Sequence, residues 1–258
     1  MTDRPGLDII NKADGIVAAL AANGQLTALQ VAEIVNEPVS STYRLLTTLT
    51  RIGWVDRGSK RGLFRLGLFF MGIGGLAEDR LDVRECALPA MRELIATTGH
   101  TTYLCVRRQD RAVCIERLNG REVRSLAMQL GDSLPMFIGA APRALLAFLP
   151  RSERTALIQH YVGGTSGWAG APPAPEIEAM AETTRSRGYS VSDEDVTPGV
   201  ASVGAPIFNH RGELEGSISV SDLREPIMSD LEGMARAVVA AARNVSVAMG
   251  YEPERFAG

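Results

Sequence analysis

The sequence predicts an α+β chain in which a small winged helix-turn-helix and a linker helix precede a larger antiparallel-sheet domain. Three observations carry that prediction. Residues 26–67 read as a short helix, a turn, a second helix opened by a proline, and a basic hairpin. Residues 68–77, LFFMGIGGLA, are apolar and broken by glycines before a helical pattern takes over. From residue 101 onward, strands and helices interleave and close on a long helix rich in Ala and Val. At 258 residues, 45% hydrophobic and 22% charged, the chain has room for one small and one ordinary globular domain.

The second helix carries the physical argument for the first domain. Pro38 fits the first helical turn, where a missing N–H costs nothing. Leu45, Leu46, Leu49 and Ile52 recur on one face, predicted to be buried against the preceding helix. The other face presents Ser40, Ser41, Arg44, Thr47, Thr48 and Arg51. Hydroxyls bond phosphates or base edges and Arg pairs bidentately with guanine, so this face has the chemistry of a recognition helix in the DNA major groove. Gly53 ends the helix, residues 54–56 read as a strand, residues 58–62 (GSKRG) as a turn, and residues 63–66 as the returning strand of a wing. Lys60 and Arg61 fall at the wing tip, suited to phosphate contact. Taken alone, the helix reads first as an ordinary solvated amphipath, and Ser40 or Ser41 as an N-cap. The helix, turn, glycine stop and basic hairpin in register reverse that reading toward double-stranded DNA.

Charge agrees. Residues 37–68 hold 6 basic and 2 acidic side chains, whereas the whole chain carries a net charge of −3. DNA binding requires a basic patch and not a basic protein.

The predicted boundaries are residues 1–67 for the winged domain, 68–81 for the linker helix and 82–258 for the second domain. A helical pattern runs from residue 79 to about 98, with Pro89 marking a bend or a new start. Apolar surface on the linker suggests pairing with another subunit, and packing against the second domain is the alternative. Gly72, Gly74 and Gly75 weaken the helix there and offer a hinge.

In the second domain, residues 101–107 and 112–117 alternate around Gln109-Asp110 as an antiparallel hairpin, followed by a strand over 122–130. Helices are predicted at 142–149, 152–160 and 175–187, with a Gly/Pro-rich loop over 162–175. Strands return at 189–192, 202–208 and 216–221, the last two joined by a turn at 209–212. A single final helix is predicted over 227–249.

No catalytic, metal or cofactor constellation emerges. His100, His160 and His210 show no HExxH or HxH spacing. Gly-x-Ser-x-Gly and phosphate-loop signatures are absent. Cys86, Cys105 and Cys114 are odd in number and lack metal spacing, the usage of a reduced cytoplasmic chain with buried thiols. Cys105 and Cys114 lie on neighbouring predicted strands, which leaves a disulfide geometrically open; as nucleophiles they would need a nearby base. No apolar run is long enough to span a membrane and residues 1–5 open no signal peptide. The acidic run Asp193-Glu194-Asp195 reads as a solvated connection, or as a cation site.

A ligand pocket has better support. Residues 131–141 join a strand to a helix starting near Pro142, whose free N–H groups suit a carboxylate. Ser219 and Ser221 alternate with Ile218 and Val220, so both hydroxyls face one side of a sheet, and Ser202 begins a neighbouring strand. Convergent small polar groups there suit a small organic acid; the alternative is that both serines face solvent.

The chain resembles the IclR-type family of bacterial transcriptional regulators along nearly its whole length. The matching stretches are VSSTYRLLTTLTRIGWVDR with FRLG, then LPMFIGAAPRALLAFLP, then GYSVSDEDVTPGVASVGAPIFNHRGELEGSISVS. The last carries Gly188, Tyr189, Gly199, Val200, Ala205, Pro206, Gly212, Ser219 and Ser221 in order. The resemblance implies a winged-helix DNA-binding domain, a linker helix and a GAF-like effector-binding domain. It further implies dimers or dimers of dimers on palindromic operators, acting as repressors or activators under a small acid, aromatic acids included. DNA contact carries over to Ser40, Ser41, Thr42, Arg44, Lys60 and Arg61, beside Thr48 and Arg51 from the helix face. The effector pocket carries over to Gly139, Ala140, Ser192, Asp193, Ser202, Ser219 and Ser221. Phe137 stands where the family often has His, Ser202 where it often has Cys, and Ser192 where an acid can occur, which implies a more apolar mouth. Two competing functions remain at this stage. One is a hydrolase of small acids that uses the N-terminal domain for association, and the other is a winged helix that binds protein.

Overall fold

The computed structural model describes residues 5–78, 82–120, 128–163 and 170–252. The chain divides into two compact units, residues 1–80 and 81–258.

The first unit opens with a helix that the sequence reading left out, α1 (Pro5–Asn23). Its Ile16, Ala19 and Leu20, spaced for one helical face, enter the same core as Val31, Leu46, Leu49, Val55 and Phe64. Leu26–Thr27, expected to begin the next helix, forms the short strand β1 instead. Thr27 explains the delay, because it caps α2 (Ala28–Ile34): its Oγ1 accepts from the Gln30 N–H at 3.3 Å while Gln30 Oε1 accepts from the Thr27 N–H at 2.9 Å. After the turn comes α3 (Val39–Arg51), with Pro38 as its N-cap in place of Ser40 or Ser41. The wing is the antiparallel pair β2 (Val55–Arg57) and β3 (Leu63–Leu66), and β1 joins β3 to complete a three-stranded sheet. Helix α4 (Phe69–Glu78) follows, with Trp54 packed on Phe69 and Phe70 at ring-centre separations of 6.2 and 5.7 Å.

The second unit starts with α5 (Val83–Thr98), capped by Asp82 and stopped by left-handed Gly99. Pro89 lies inside this helix, which continues through it, so the predicted new start at Pro89 is not observed. The hairpin β4 (Thr101–Arg108) and β5 (Arg111–Leu118) turns at Gln109-Asp110 as predicted. Of the strand predicted over 122–130, residues 121–127 lie outside the described residues and 128–130 are not strand. The edge strand is β6 (Ser133–Pro135). Three helices follow, α6 (Ala140–Phe148), α7 (Arg151–Val162) and α8 (Ala174–Arg187). Strands β7 (Ser190–Asp193), β8 (Val200–Phe208) and β9 (Leu214–Leu223) complete the sheet. The predicted final helix is two, α9 (Arg224–Ser229) and α10 (Leu231–Ala248), because Asp230 leaves helical geometry to cap the Gly233 N–H at 3.1 Å.

All six strands pair antiparallel in the order β6-β5-β4-β9-β8-β7. One face carries Leu104, Val203, Ala205, Ile207, Ile218 and Val220 into a core shared with α5 and α10. The other face is built from small residues, and α6 lies almost on the strands there. A Cβ at Gly204 would come within 2.8 Å of the Ala140 carbonyl carbon, so only glycine admits that approach. Ser190 Oγ donates to Ala140 O at 2.6 Å and Ser217 Oγ to Ala141 O at 2.9 Å, fixing the helix in register. Buried Arg154 then ties α7 to α8 through Glu178 and Glu182, at 2.8 and 2.5 Å. No helix among the described residues is long and apolar enough to cross a membrane.

Candidate nucleic-acid interface and ligand cavity

Helix α3 divides its side chains sharply. Thr42, Leu46 and Leu49 are buried, while Ser40, Tyr43, Arg44, Thr47, Thr48 and Arg51 are exposed and Ser41 is half-buried. Thr42 therefore leaves the predicted contact set: its spacing of four from Leu46 turns it inward, and its Oγ1 donates to Pro38 O at 3.2 Å. Ile52, predicted to be buried, is the C-cap and about half exposed. Thr48 Oγ1 donates to Arg44 O at 3.0 Å, which leaves its oxygen free to accept.

The wing tip is held from below. Gln25 Oε1 accepts from Ser59 N at 2.9 Å and from Ser59 Oγ at 3.1 Å, so Lys60 and Arg61 extend from a fixed turn. Among the described residues, no carboxylate pairs with Arg44, Arg51, Lys60 or Arg61, whereas Lys12 is neutralised by Asp8 and Glu37 at 2.8 and 3.1 Å. Charges left uncompensated on one surface are the electrostatic footprint of a phosphate backbone. Two neighbours were missed in the sequence: exposed Tyr43 meets Phe64 edge-on at 6.2 Å, and Arg57 lies 4.5 Å above the same ring. Their spacing across helix and wing is legible only once the two are packed.

In the second unit, register places three rows on one face, made mostly of small residues with Tyr103 among them. Cys114, Cys105 and Ser217 form one row, Tyr103, Ser219 and Gly204 the next, and Thr101, Ser221, Ser202 and Ser192 the last. A cavity lies between this face and the start of α6. It is lined by Gly139, Ala140, Ser192, Ser202, Ser219 and Ser221, together with Tyr103, Cys105, Met128 and Val196. Ser192, Ser219 and Ser221 are buried, which settles against solvent-facing serines. The space open to a water-sized sphere is about 40 Å³, room for on the order of three waters.

Helix α6 begins at Ala140, two residues before the predicted start, with Gly139 at φ +83° as N-cap. Its first donor is already engaged. The Gly139 N–H donates to Asp195 Oδ2 at 3.1 Å, and Arg143 Nη2 pairs with the same oxygen at 2.6 Å. Ser192 Oγ donates to the other Asp195 oxygen. Burial pushes the Arg143 guanidinium down from its usual value and Asp195 opposes that shift. Arg143 also donates to Phe137 O at 3.0 Å and Val191 O at 2.7 Å, which locks its orientation. Asp195 and Arg143 were not read as site residues, because Asp195 looked like part of a solvated acidic run.

Each acid of the run is already partnered within the chain, which removes the cation reading. Asp193 and Glu194 share Arg224 at 2.7 and 3.8 Å, Glu194 accepts from the Gly199 N–H at 2.6 Å, and Asp195 turns to α6. Asp193 therefore does not line the cavity. Phe137 does not either: it is buried edge-on against Tyr161, with ring centres 4.8 Å apart, in the core under α6 and α7. Its place beside Gly139 in sequence misled, since the backbone turns between them. No histidine is among the lining residues; His100 is held by Asp222 at 2.7 Å, so neither Ser219 nor Cys105 has an imidazole to act as a base.

Comparison with known proteins agrees with both units. Residues 10–59 match the IclR helix-turn-helix domain, and residues 76–247 match the C-terminal domain of the bacterial transcriptional regulator IclR. The chain is 31% identical over 231 residues to the HTH-type transcriptional regulator KipR of Bacillus subtilis, covering 88% of this chain and 90% of that one. It is 28% identical over 233 residues to the regulator XynR of Escherichia coli, covering 89% and 92%. Among solved structures, HmgR of Pseudomonas aeruginosa superposes with a TM-score of 0.77 at 25% identity, over 93% of this chain and 97% of that one. Thermotoga maritima IclR shares the fold with a TM-score of 0.60 at 24% identity, over 95% of this chain and 100% of that one. The matched domains are those of a transcriptional regulator and the curated relatives named here are regulators and not enzymes, so the hydrolase reading falls. With an exposed basic helix and wing in one unit and a sheet-borne cavity in the other, this chain belongs to the IclR family of DNA-binding bacterial transcriptional regulators.

Proposed function

We propose that the protein is a ligand-responsive regulator that binds palindromic operator DNA as a dimer or dimer of dimers, switched by a small organic acid in the sheet cavity. The observation that carries the reading is Asp195: a carboxylate of the chain itself accepts from the Gly139 N–H, the Arg143 guanidinium and the Ser192 hydroxyl, and of these Gly139 and Ser192 line the cavity. Donors arranged to hold one carboxylate suit another of the same chemistry. An incoming acid takes over these donors, and Asp195 leaves with the connection that carries Val196 over the cavity. Ligand binding is thereby coupled to movement, which a switch requires, because equal affinity for both states shifts nothing. The open space is far below the roughly 300 Å³ of ordinary small-molecule sites, so an aromatic acid needs that connection displaced.

For DNA, α3 enters the major groove with Ser40, Ser41, Arg44, Thr48 and Arg51 outward, and Lys60 and Arg61 reach the flanking backbone. Residues 68–81 link the two domains, and exposed Leu68, Phe69, Met71 and Ile73 supply apolar surface for pairing two copies. A two-fold dimer then reads half-sites about 34–36 Å apart, or a multiple of that. Selection of genomic fragments by the full-length protein tests this reading: enriched fragments share an inverted repeat, and a small acid changes their affinity. Fragments without an inverted repeat would overturn the dimeric operator model. Arg61→Ala weakens binding to all sequences alike and flattens the salt dependence by about one unit of slope, measured by titration at several salt concentrations.

Asp195→Asn tests the cavity. Loss of the internal anion leaves Arg143 without its charge partner, so benzoate or pyruvate binds about tenfold more tightly by calorimetry, about 1.4 kcal/mol. Unchanged affinity for every acid tried would show that no exchange with Asp195 occurs.

A further inference from the structure

Cys105 on β4 faces Cys114 on β5. The Cys114 backbone points away from β4: its N–H donates to Asp132 O and its carbonyl accepts from Gly131 N, each at 2.9 Å. The cysteines are therefore a non-hydrogen-bonded antiparallel pair, whose Cα atoms lie about 4.5 Å apart with side chains on one face. A disulfide spans Cα separations of roughly 4.4–6.8 Å, so the backbone already meets its requirement. Beside the pair the register slips. Leu104 faces Glu116 while Cys105 faces Cys114, leaving Ile115 as a bulge that lets the strands adjust. Both thiols are free and buried, and the Cys114 thiol donates to Glu116 O at 3.4 Å.

Access is selective. Cys105 lines the cavity, whose open space of about 40 Å³ admits molecules of a few heavy atoms. Hydrogen peroxide, two oxygens long, fits; a tripeptide thiol or a protein oxidant does not. The third cysteine, Cys86, stands apart on α5 with its Sγ near Ala248 O at 3.9 Å.

We propose that Cys105 and Cys114 form a disulfide in the cavity wall, made by hydrogen peroxide. Peroxide reaches the pair through the cavity, at the Cys105 side, and one sulfur attacks while its neighbour resolves. The attacking sulfur bonds one peroxide oxygen, the O–O bond breaks, and the other oxygen leaves as water after taking a proton. The second sulfur then displaces the hydroxyl from that sulfenic acid, giving the S–S bond and a second water. Two thiols are oxidised and one peroxide is reduced to two waters. The reaction does not depend on which ligand the cavity takes.

The test uses the full-length chain carrying Cys86→Ala, treated with equimolar hydrogen peroxide. The expected result is loss of both remaining thiols, a non-reduced digest in which the Cys105 and Cys114 peptides are joined, and full thiol recovery with dithiothreitol once the chain is unfolded in urea. On a non-reducing gel the chain stays monomeric, unlike a cross-link through Cys86 between copies. Adding Cys105→Ser or Cys114→Ser is expected to remove the joined peptide and to leave a sulfenic acid on the remaining thiol, which dimedone traps when the oxidised chain is unfolded in its presence. Thiols that survive peroxide, or that pass to sulfinic acid with no joined peptide, would overturn the proposal. If either serine variant misfolds, the digest of the Cys86→Ala chain decides alone.

Discussion

Gly67→Ala is expected to destabilise the N-terminal unit by about 3 kcal/mol and to abolish DNA binding with it. A Cβ at this position would fall 1.9 Å from the Gly53 carbonyl oxygen and 2.9 Å from the carbonyl carbons of Gly53 and Trp54. Every one of those atoms is backbone, so no side chain can rotate to relieve the clash. The Gly67 N–H also donates to Trp54 O at 2.8 Å, the bond that closes the base of the wing. Moving Gly67 outward breaks this bond and shifts the strand pair that carries Lys60 and Arg61. Gly72→Ala is the matched control, because nothing lies within 4 Å of its Cβ position and α4 is helical there. That substitution is expected to gain about 0.5–1 kcal/mol from helix propensity. Urea unfolding of both full-length variants, each also carrying Trp168→Phe so that fluorescence reports Trp54, distinguishes them; equal midpoints would refute the close approach.

Arg44→Ala is expected to lower affinity for a selected operator by about 5- to 150-fold, or about 1–3 kcal/mol, while relaxing the preference at one base position. Arg44 is exposed near the middle of α3, with no carboxylate partner among the described residues, and it shares a stripe with Ser40, Thr47 and Arg51. Thr42→Val separates recognition from support on the same helix. Thr42 is wholly buried, so that change is expected to cost about 1 kcal/mol of stability through its bond to Pro38 O and to leave base preference intact. Binding to a series of single-base operator variants checks both. A preference altered by Thr42→Val and not by Arg44→Ala would invert the assignment of the two faces.

Much of this protein was legible from pattern. The polar stripe of α3, the basic wing and the hairpin around Gln109-Asp110 follow from residue spacing and turn chemistry, which act over a few residues. What escaped was set by particular competitors to those patterns. Thr27 capped a helix two residues later than its apolar run suggested, and Asp230 did the same to divide the last helix. Pro89 was absorbed within α5, whose ends are fixed by Asp82 and Gly99. The inward turn of Thr42 needed the correct phase of α3, which Leu46 and Leu49 define and Ile52 obscured.

By itself the sequence determined the two-domain order, the outward chemistry of α3 and the wing, and the placement of Ser219 and Ser221 on one side of a strand. These follow from local periods of 3.6 and 2, which every residue carries. Only the tertiary structure decided what surrounds the serines. Sheet order brings Cys114, Cys105, Ser219 and Ser202 onto one face from strands far apart in the chain, and the close approach at Gly204 lays α6 over them. It also sent Phe137 into the core and Asp193 to Arg224, and brought Asp195 across 56 residues to the Gly139 N–H. Long-range register and electrostatic pairing leave no periodic trace, and they are what make a cavity out of scattered small residues.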